Sequence, residues 1–320
     1  MINSGISVVI PTLGQTENLK TLVSSVLNQE KIAKELLDIV IVINGLPQQN
    51  YFKIKSDISN LNPEIEFQWA YIEQANVNIA RNKGLDLARF DYVCFFDDDC
   101  ELNNRSTLNF YWSAMDKDSQ LFALGGGYCL PSTANYWDEL YNSIQMAWLL
   151  SGKVDQSHNI LHLLGGNFIL NKKILKENSI QFEEQIAYGG SEHQLFLAAA
   201  TLKLKVQLSN IDVKHNTKET FSKICRKIYK QGQGKALLDE KYGQIENSFK
   251  NQNLKYISKT AIEINYLNIK LEFYKKILNY IFWFGYYNKQ NKSYLIFVKV
   301  FSDFLNYLNY LRFKIIDKVK

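Results

Sequence analysis

The chain of 320 residues is 46% hydrophobic and 22% charged, which is the composition of a folded globular protein and not of a disordered one. Its length suits one large domain with an appendage, or two modest domains. The formal net charge of +5, from 37 basic and 32 acidic side chains, is too mild to indicate a nucleic-acid partner without a localised basic patch.

Cysteine usage and hydropathy indicate the cellular compartment of the protein. The four cysteines are scattered without C-x-x-C spacing, which indicates neither a zinc knuckle nor a disulfide scaffold. The first residues lack the charged and long apolar regions of a secretion signal. The longest nearly apolar stretch, residues 277–287, is interrupted by Asn279 and Gly285 and is shorter than the roughly 20 residues that cross a bilayer. We therefore expect a cytoplasmic protein.

Short apolar strands alternate with periodic helical segments over the first hundred residues. We expect strands at 6–10, 39–43, 66–71 and 92–96, and helices at 17–27 and 78–88. Continuous apolar strands that alternate with helices indicate βαβ units and a parallel sheet covered on both faces.

The later part of the chain is less regular. Helices are expected at 107–116 and 137–150, a strand at 121–130, and an apolar helix that runs through Ala200. The strand contains three consecutive glycines at 125–127, which predict a bulge or the close approach of another backbone.

The composition changes near residue 246, where asparagine, lysine and tyrosine become frequent and helical periodicity dominates. We place a domain boundary there. An amphipathic, basic tail follows, with apolar residues at helical spacing at Phe297, Phe301, Phe304, Leu308, Leu311 and Ile315.

Three consecutive aspartates, Asp97, Asp98 and Asp99, directly follow the apolar run at 92–96. Ligands of open α/β sheets bind beyond the carboxyl ends of the strands. Because side chains alternate along an extended segment, Asp97 and Asp99 are expected to face the same way and to be able to share one cation. Mg²⁺ and Mn²⁺ prefer such oxygen ligands together with substrate phosphates. A solvated acidic turn is the alternative interpretation.

Five motifs occur in a fixed order along the chain. They are Ser7-Val8-Val9-Ile10-Pro11-Thr12, Ala80-Arg81-Asn82-Lys83-Gly84, Phe96-Asp97-Asp98-Asp99, Gly165-Gly166-Asn167 and Gly189-Gly190-Ser191-Glu192. Together they resemble glycosyltransferase family 2, a group of nucleotide-sugar enzymes with the GT-A fold, over about residues 5–235. The third motif resembles the D-x-D segment of that family.

The resemblance implies an α/β fold of the GT-A type, with a Rossmann-like, mostly parallel central sheet flanked by helices and followed by a helical C-terminal region. It implies a catalytic domain at 1–245, with a nucleotide-sugar-binding part at about 1–105 and an acceptor part at about 106–245. Residues 246–320 are then a helical, amphipathic, basic extension.

The resemblance also implies a divalent cation, Mn²⁺ or Mg²⁺, which neutralises charge on a leaving nucleoside diphosphate. Asp99 is the first candidate for direct ligation, and Asp97 is a candidate for ligation or for ribose contact. By resemblance His215 completes the metal shell. For a lone histidine the alternative is a hydrogen bond in a loop.

An attacking acceptor hydroxyl must lose a proton, so a carboxylate within hydrogen-bond reach is the natural general base. By resemblance this residue is Glu192. Ser191 stands where the family often has another acidic residue, so assistance from a second carboxylate is in doubt. Ser191 is also a candidate N-cap of the helix that starts there. The alternative for Glu192 is a first-turn residue favoured by the helix dipole.

The remaining site residues follow from the resemblance alone. The expected donor-binding residues are Pro11, Thr12, Glu17, Asn44, Arg81, Asn82, Asp97 and Asp98. The expected acceptor-binding residues are Gly165, Gly166, Asn167, Gly189, Gly190 and Ser191. Asn44 replaces the aspartate with which the family pairs the nucleobase, so base selectivity is open and a UDP-sugar is the default donor.

A basic segment at 226–235 has two interpretations: a flexible loop near the diphosphate, or a solvated helix end followed by a glycine-permitted turn. The tail after residue 246 suits peripheral contact with an anionic membrane surface, a partner protein, or packing on the catalytic domain.

We therefore predict a metal-dependent, inverting, hexosyltransferase-type glycosyltransferase. The acceptor is a glycan, lipid-linked or protein hydroxyl, in the synthesis of surface polysaccharide, glycolipid or glycoconjugate. Inversion follows from the resemblance and from a base without an evident covalent nucleophile. The alternatives are a nucleotidyltransferase, for which the first loop is poor in glycine and basic residues, and a non-catalytic protein that binds sugar nucleotides or glycans.

Overall fold

The structure is a computed structural model that describes residues 5–152, 160, 162–186, 192–257 and 269–287. Three predictions lie outside these residues: the apolar stripe at 297–315, the glycine pair Gly189 and Gly190, and the cap at Ser191.

A seven-stranded mixed sheet organises the described part of the chain, in the order β3-β2-β1-β4-β8-β6-β9. The first four strands in sequence are parallel, β8 is antiparallel to both β4 and β6, and β9 is parallel to β6. The strands are β1 (Ile6–Thr12), β2 (Leu37–Asn44), β3 (Phe67–Ile72), β4 (Tyr92–Phe96), β6 (Leu121–Gly125), β8 (Asn167–Asn171) and β9 (Lys205–Leu208).

Helices cover the sheet, as the continuous apolar strands predict: every residue of β1 and β4 is buried. The helices are α1 (Thr16–Leu27), α2 (Gln48–Ser59), α3 (Val77–Leu87), α4 (Thr107–Lys117), α5 (Tyr136–Ser151), α6 (Lys172–Glu177) and α7 (His193–Thr201), with a 3₁₀ turn at Lys34–Leu36. The predicted α/β fold with a mostly parallel central sheet is confirmed.

The register of β8 against β4 positions the site. Phe96 pairs with Asn167, so the aspartates that follow β4 lie beside the Gly165-Gly166 pair that precedes β8. Parallel pairing of Val9 with Phe95 also brings the end of β1 to the same edge.

The strand predicted at 121–130 is divided between two sheets. β6 ends at Gly125, and Tyr128–Cys129 forms β7 in a three-stranded sheet, ordered β5-β10-β7, with β5 (Cys100–Glu101) and β10 (Val213–His215). The glycines allow the predicted backbone approach, since an ideal Cβ at Gly126 would lie 1.6 Å from the carbonyl oxygen of Ile211.

Two long helices, α8 (Phe221–Ile257) and α9 (Ile269–Tyr287), form the C-terminal region. The basic segment 226–235 lies inside α8, so both the loop and the turn predicted there are wrong. Gly232 of this segment and Gly285 of α9 allow the two helices to pack closely. An ideal Cβ at Gly232 would lie 2.0 Å from the Phe282 carbonyl oxygen, and one at Gly285 would lie 2.1 Å from the Tyr229 carbonyl oxygen.

The two helices pack on the α/β part through a second apolar cluster. Tyr274, Leu278 and Ile281 of α9 bury their side chains in it together with Leu140 and Tyr141 of α5. Helix α8 is continuous through residue 246, and the domain boundary proposed there stays a prediction. Within the described ranges, no helix has the length and hydropathy needed to cross a bilayer.

Candidate functional site

The three aspartates after β4 each have a different partner. The Thr12 hydroxyl at the end of β1 donates to Asp98 over 2.5 Å. Asp97 Oδ1 lies 3.4 Å from a guanidinium nitrogen of Arg81, and Asp99 Oδ1 lies 3.3 Å from Nε2 of His215. Asp97 thus contacts α3 and Asp99 contacts β10, and the sharing of one cation by the two carboxylates stays a prediction.

The antiparallel pairing of β10 with β5 brings His215 to the aspartates. His215 pairs with Cys100, the residue after Asp99, and the amide of Asn216 donates to the Asp99 carbonyl over 2.7 Å. The predicted meeting of Asp99 and His215, 116 positions apart in the numbering, is therefore produced by a long-range strand pairing.

Burial and crowding change the protonation of these groups. Burial raises the pKa of Asp97, which Arg81 partly offsets, and burial with the Asp99 charge raises the pKa of Asp98 to about 7. Burial also favours neutral Asp99 and neutral His215, but their mutual attraction outweighs it. The pKa of the carboxyl ends below, and that of the imidazole above, its usual value.

A divalent cation at this site would need ligands in addition to the protein side chains. Among the residues described, no group of three or more His, Cys, Asp and Glu side chains is arranged to enclose a metal. Mg²⁺-type sites commonly use one or two carboxylates, with substrate phosphates and water as the other ligands. Of the expected ligands, Asp99 and His215 lie together, with Oδ1 and Nε2 3.3 Å apart, whereas Asp97 contacts Arg81; ligation by all three stays a prediction.

Arg81 of α3 joins the two acidic sides of the crevice. Its side chain is 3% exposed; one terminal nitrogen lies 3.4 Å from Asp97 and the other lies 3.5 Å from Glu192 Oε2. It also donates to the carbonyl of Gly165 over 2.9 Å, and its guanidinium lies 5.6 Å from the ring centre of Phe182. A buried cation that contacts both carboxylates holds them in one crevice.

Glu192 occupies the N-cap position of α7 but makes no capping hydrogen bond with its side chain. The carboxylate contacts Arg81 instead and is 24% exposed. A role limited to the helix end therefore does not account for its orientation.

The pair Gly165 and Gly166 lies against these groups. An ideal Cβ at Gly166 would lie 2.6 Å from both Asp97 Oδ2 and the Tyr128 hydroxyl, and one at Gly165 would lie 2.6 Å from Arg81 and 3.1 Å from Glu192. Any side chain at either position would displace a polar group of the crevice.

Three asparagines for which substrate contact is predicted also brace the framework. Asn44 donates to the Thr12 carbonyl over 3.1 Å and accepts from the Asn76 amide over 3.2 Å. Asn82 donates to the Phe182 carbonyl over 3.0 Å and accepts from the amide of the same residue over 3.1 Å. These amides connect strands and loops to one another behind the crevice.

Asn167 is fully buried and is the third of these braces. Its amide donates to the carbonyls of Gly127 and Ile211 over 2.8 and 3.1 Å, and its oxygen accepts from Tyr111 over 2.7 Å. It therefore ties β8 to the glycine segment and to the chain that leads into β10.

The other two predicted donor residues lie on β1 and α1. Pro11 is buried within β1, opposite Val42. Glu17, in the first turn of α1, is 87% exposed and forms a 3.1 Å ion pair with Lys20.

Tyr128 is a site neighbour that the sequence reasoning missed. Its ring stacks on that of His215 with centroids 4.3 Å apart, and its hydroxyl accepts from the Gly166 amide over 2.9 Å. Burial raises the pKa of its phenol well above the usual value, so the group stays protonated. Its position directly after three glycines was the available signal, because the glycines already predicted close packing.

A crevice beyond the carboxyl ends of parallel strands, lined by a D-x-D segment and a facing glutamate, is the arrangement expected of a GT-A nucleotide-sugar transferase. The model of the family described as Glycosyl transferase family 2 matches residues 7–178, more than half of the chain. The chain belongs to this family.

Two curated relatives are similar over part of their length. The chain is 26% identical over 144 residues to the uncharacterized glycosyltransferase YibD of Escherichia coli (strain K12), covering 44% of this chain and 40% of that protein. It is 24% identical over 182 residues to the poly(ribitol-phosphate) beta-N-acetylglucosaminyltransferase TarP of Staphylococcus aureus (strain N315), covering 56% and 52%. The chain thus spans about half or less of these relatives.

Solved structures share the fold at low identity. The mannosyltransferase PcManGT from Pyrobaculum calidifontis, in complex with GDP-Man and Mn²⁺, superposes with a TM-score of 0.58 at 12% identity, covering 92% of this chain and 86% of that one. Staphylococcus aureus TarS 1–349 superposes with a TM-score of 0.52 at 15% identity, covering 93% and 88%. These similarities confirm the GT-A fold.

Proposed function

We propose that this chain is a metal-dependent, inverting glycosyltransferase of the hexosyltransferase type, which moves a sugar from a nucleoside-diphosphate donor to an acceptor hydroxyl. One observation carries the proposal: buried Arg81 contacts both Asp97 and Glu192, which puts a metal-ligand candidate and a base candidate in one crevice.

Asp97, Asp99 and His215 are the proposed holders of Mn²⁺ or Mg²⁺. Burial, with a smaller effect of the neighbouring carboxylates, raises the pKa of Asp97 and Asp98, and this supports the proposal because added positive charge favours their ionised forms. A bound cation neutralises the charge that grows on a leaving diphosphate. The related fold of PcManGT was solved with Mn²⁺.

Glu192 is the proposed general base that takes the proton of the acceptor hydroxyl. Arg81 holds its carboxylate on the side of the crevice that faces Gly165, as the 3.5 Å contact and the missing Cβ at Gly165 support. With one base and no covalent nucleophile assigned, the displacement is a single step that inverts the anomeric centre.

The proposed donor is a UDP-sugar by default, held at Pro11, Thr12, Glu17, Asn44, Arg81, Asn82 and Asp98 as the resemblance implies. Solved neighbours in complex with UDP, UDP-GlcNAc and GDP-Man support a nucleotide sugar without choosing the base. The proposed acceptor is a glycan, lipid-linked or protein hydroxyl in surface polysaccharide, glycolipid or glycoconjugate synthesis. The residues proposed to bind it are Gly165, Gly166, Asn167, Gly189, Gly190 and Ser191.

The C-terminal region, 246–320, is proposed to make peripheral contact with the membrane. The support is a row of exposed aromatic residues on α9: Tyr280, Trp283, Phe284 and Tyr287. Tyrosine and tryptophan favour the membrane–water interface. Changing Tyr280 and Trp283 to serine should reduce sedimentation with anionic lipid vesicles, and undiminished sedimentation would refute this contact.

The test of function is release of nucleotide from a panel of UDP- and GDP-sugars, with and without Mn²⁺. Glu192→Gln should lower turnover about a hundredfold or more, since a general base contributes on that order, while donor binding persists. Glu64→Gln is the control, because Glu64 is an exposed partner of Lys34. Native turnover in Glu192→Gln, or no metal-dependent release from any donor, would contradict the proposal.

A further inference from the structure

Tyr128 contacts parts of the crevice that come from distant segments. Its ring lies 4.3 Å from that of His215 at an angle of 28°, and its hydroxyl lies 2.9 Å from the Gly166 amide. The residue lies in β7, whose parallel pairing with β10 places it beside Val213. One side chain therefore contacts both the metal-ligand candidate His215 and the glycine pair.

The glycine pair continues this chain of contacts to the proposed base. Gly166 follows Gly165, whose carbonyl accepts from Arg81 over 2.9 Å, and Arg81 also contacts Glu192. A continuous series of stacking, hydrogen-bond and ion-pair contacts thus runs from His215 to Glu192.

The two halves of the Tyr128 side chain contact different partners. The ring stacks on one face of the His215 imidazole, and among the residues that the structure describes the hydroxyl is the partner of the buried Gly166 amide. A buried amide without a partner is unfavourable, so removing the hydroxyl should displace the glycine segment even though the ring still fills its space.

We propose that Tyr128 is a positioning residue of this enzyme: its ring orients His215 and its hydroxyl orients the Gly165-Gly166 segment, which in turn positions Arg81 and Glu192. The inference rests on the proposed function. It adds a residue that touches neither donor nor acceptor but sets the distance between the two sides of the crevice.

The backbone around Tyr128 has a second support, which makes the variants usable. The Asn167 side chain holds the Gly127 carbonyl over 2.8 Å, so the strand connection does not depend on the phenol alone. We therefore expect Tyr128→Phe and Tyr128→Leu to fold.

The experiment compares three variants in the full chain. Tyr128→Phe keeps the stacking and loses the hydrogen bond, so kcat should fall about tenfold, the lower range for residues that orient site ligands, while the donor KM stays near native. Tyr128→Leu also loses the stacking, so binding of UDP with Mn²⁺, measured by calorimetry, should weaken about tenfold as well.

Tyr92→Phe is the matched control. Tyr92, in β4, is also buried, and its hydroxyl donates to the Met115 carbonyl over 3.1 Å, so Tyr92→Phe likewise loses a buried tyrosine hydrogen bond, but away from the crevice. Its kcat and UDP affinity should equal those of the native protein. A general loss of stability would not lower kcat alone in Tyr128→Phe and also weaken UDP binding in Tyr128→Leu.

The outcomes separate this proposal from the proposed function. If the native protein turns over a donor and Tyr128→Phe matches Tyr92→Phe, the positioning role is overturned and the function stands. If the native protein binds UDP with Mn²⁺ without turnover, the function fails. Weaker binding by Tyr128→Leu then supports the orientation of His215, and equal binding overturns it. A native protein that neither binds nor turns over would overturn both.

Discussion

Adding one methyl group at Gly166 tests the geometry of the crevice most directly. In Gly166→Ala the new Cβ would lie 2.6 Å from Asp97 Oδ2 and 2.6 Å from the Tyr128 hydroxyl, about 0.8 Å short of the 3.4 Å at which ordinary contact begins. Gly166 is not among the glycines with positive φ, so the backbone itself accepts alanine. The conflict is therefore between side chains.

The phenol is stacked on His215, so the carboxylate of Asp97 is the group that yields. A misplacement of about 1 Å in a reacting constellation can lower the rate about a hundredfold. Overpacking of this kind typically reduces stability by about 1–3 kcal/mol. We expect turnover to fall by more than tenfold while most of the protein stays folded.

The assay is nucleotide release at saturating donor, beside thermal unfolding of the same samples. Gly243→Ala is the control, since its Cβ would meet its nearest neighbour at 3.6 Å within α8 and helix propensity favours alanine by up to about 1 kcal/mol. A folded Gly166→Ala protein with native turnover would refute the assignment of the Asp97 region to the reaction.

Two further outcomes follow from packing and from charge. Gly232→Ala should lower the thermal unfolding midpoint by several degrees, because a Cβ 2.0 Å from the Phe282 carbonyl oxygen forces α8 and α9 apart. Overpacking typically costs about 1–3 kcal/mol, which exceeds the stability gained from the higher helix propensity of alanine. A raised midpoint would contradict this contact. In metal-free protein, the free energy of unfolding should fall as the pH rises from about 4 to about 7. The reason is that Asp98 has a pKa of about 7 in the folded protein, whereas the same carboxyl in the unfolded chain loses its proton near pH 3.8. Asp98→Asn should flatten that slope in urea titrations, and an unchanged slope would remove Asp98 as its source.

Local patterns in the sequence determined the first four strands, most helices and the residue types that gather at one edge of the sheet. Strand β4 is a continuous apolar run and the aspartates come directly after it, so their place at the sheet edge needs no knowledge of other segments. The close backbone approach at Gly126 was likewise readable, because only a missing side chain permits it.

Partners far apart in the chain were decided only by the tertiary structure. Pairing of Phe96 with Asn167 and of His215 with Cys100 sets which side chains meet, and no local period encodes those registers. For this reason the framework hydrogen bonds of Asn44, Asn82 and Asn167 were not foreseen, and Tyr128 was overlooked.

The segment 226–235 shows that long-range packing also decides where a helix continues. Its glycines predicted a break, because glycine weakens an isolated helix by about 1 kcal/mol relative to alanine. Packing of α9 against Gly232 outweighs that loss, since the absent side chain lets the two backbones approach. Composition thus determined the kinds of elements and the chemistry they carry, whereas long-range packing decided which residues face one another.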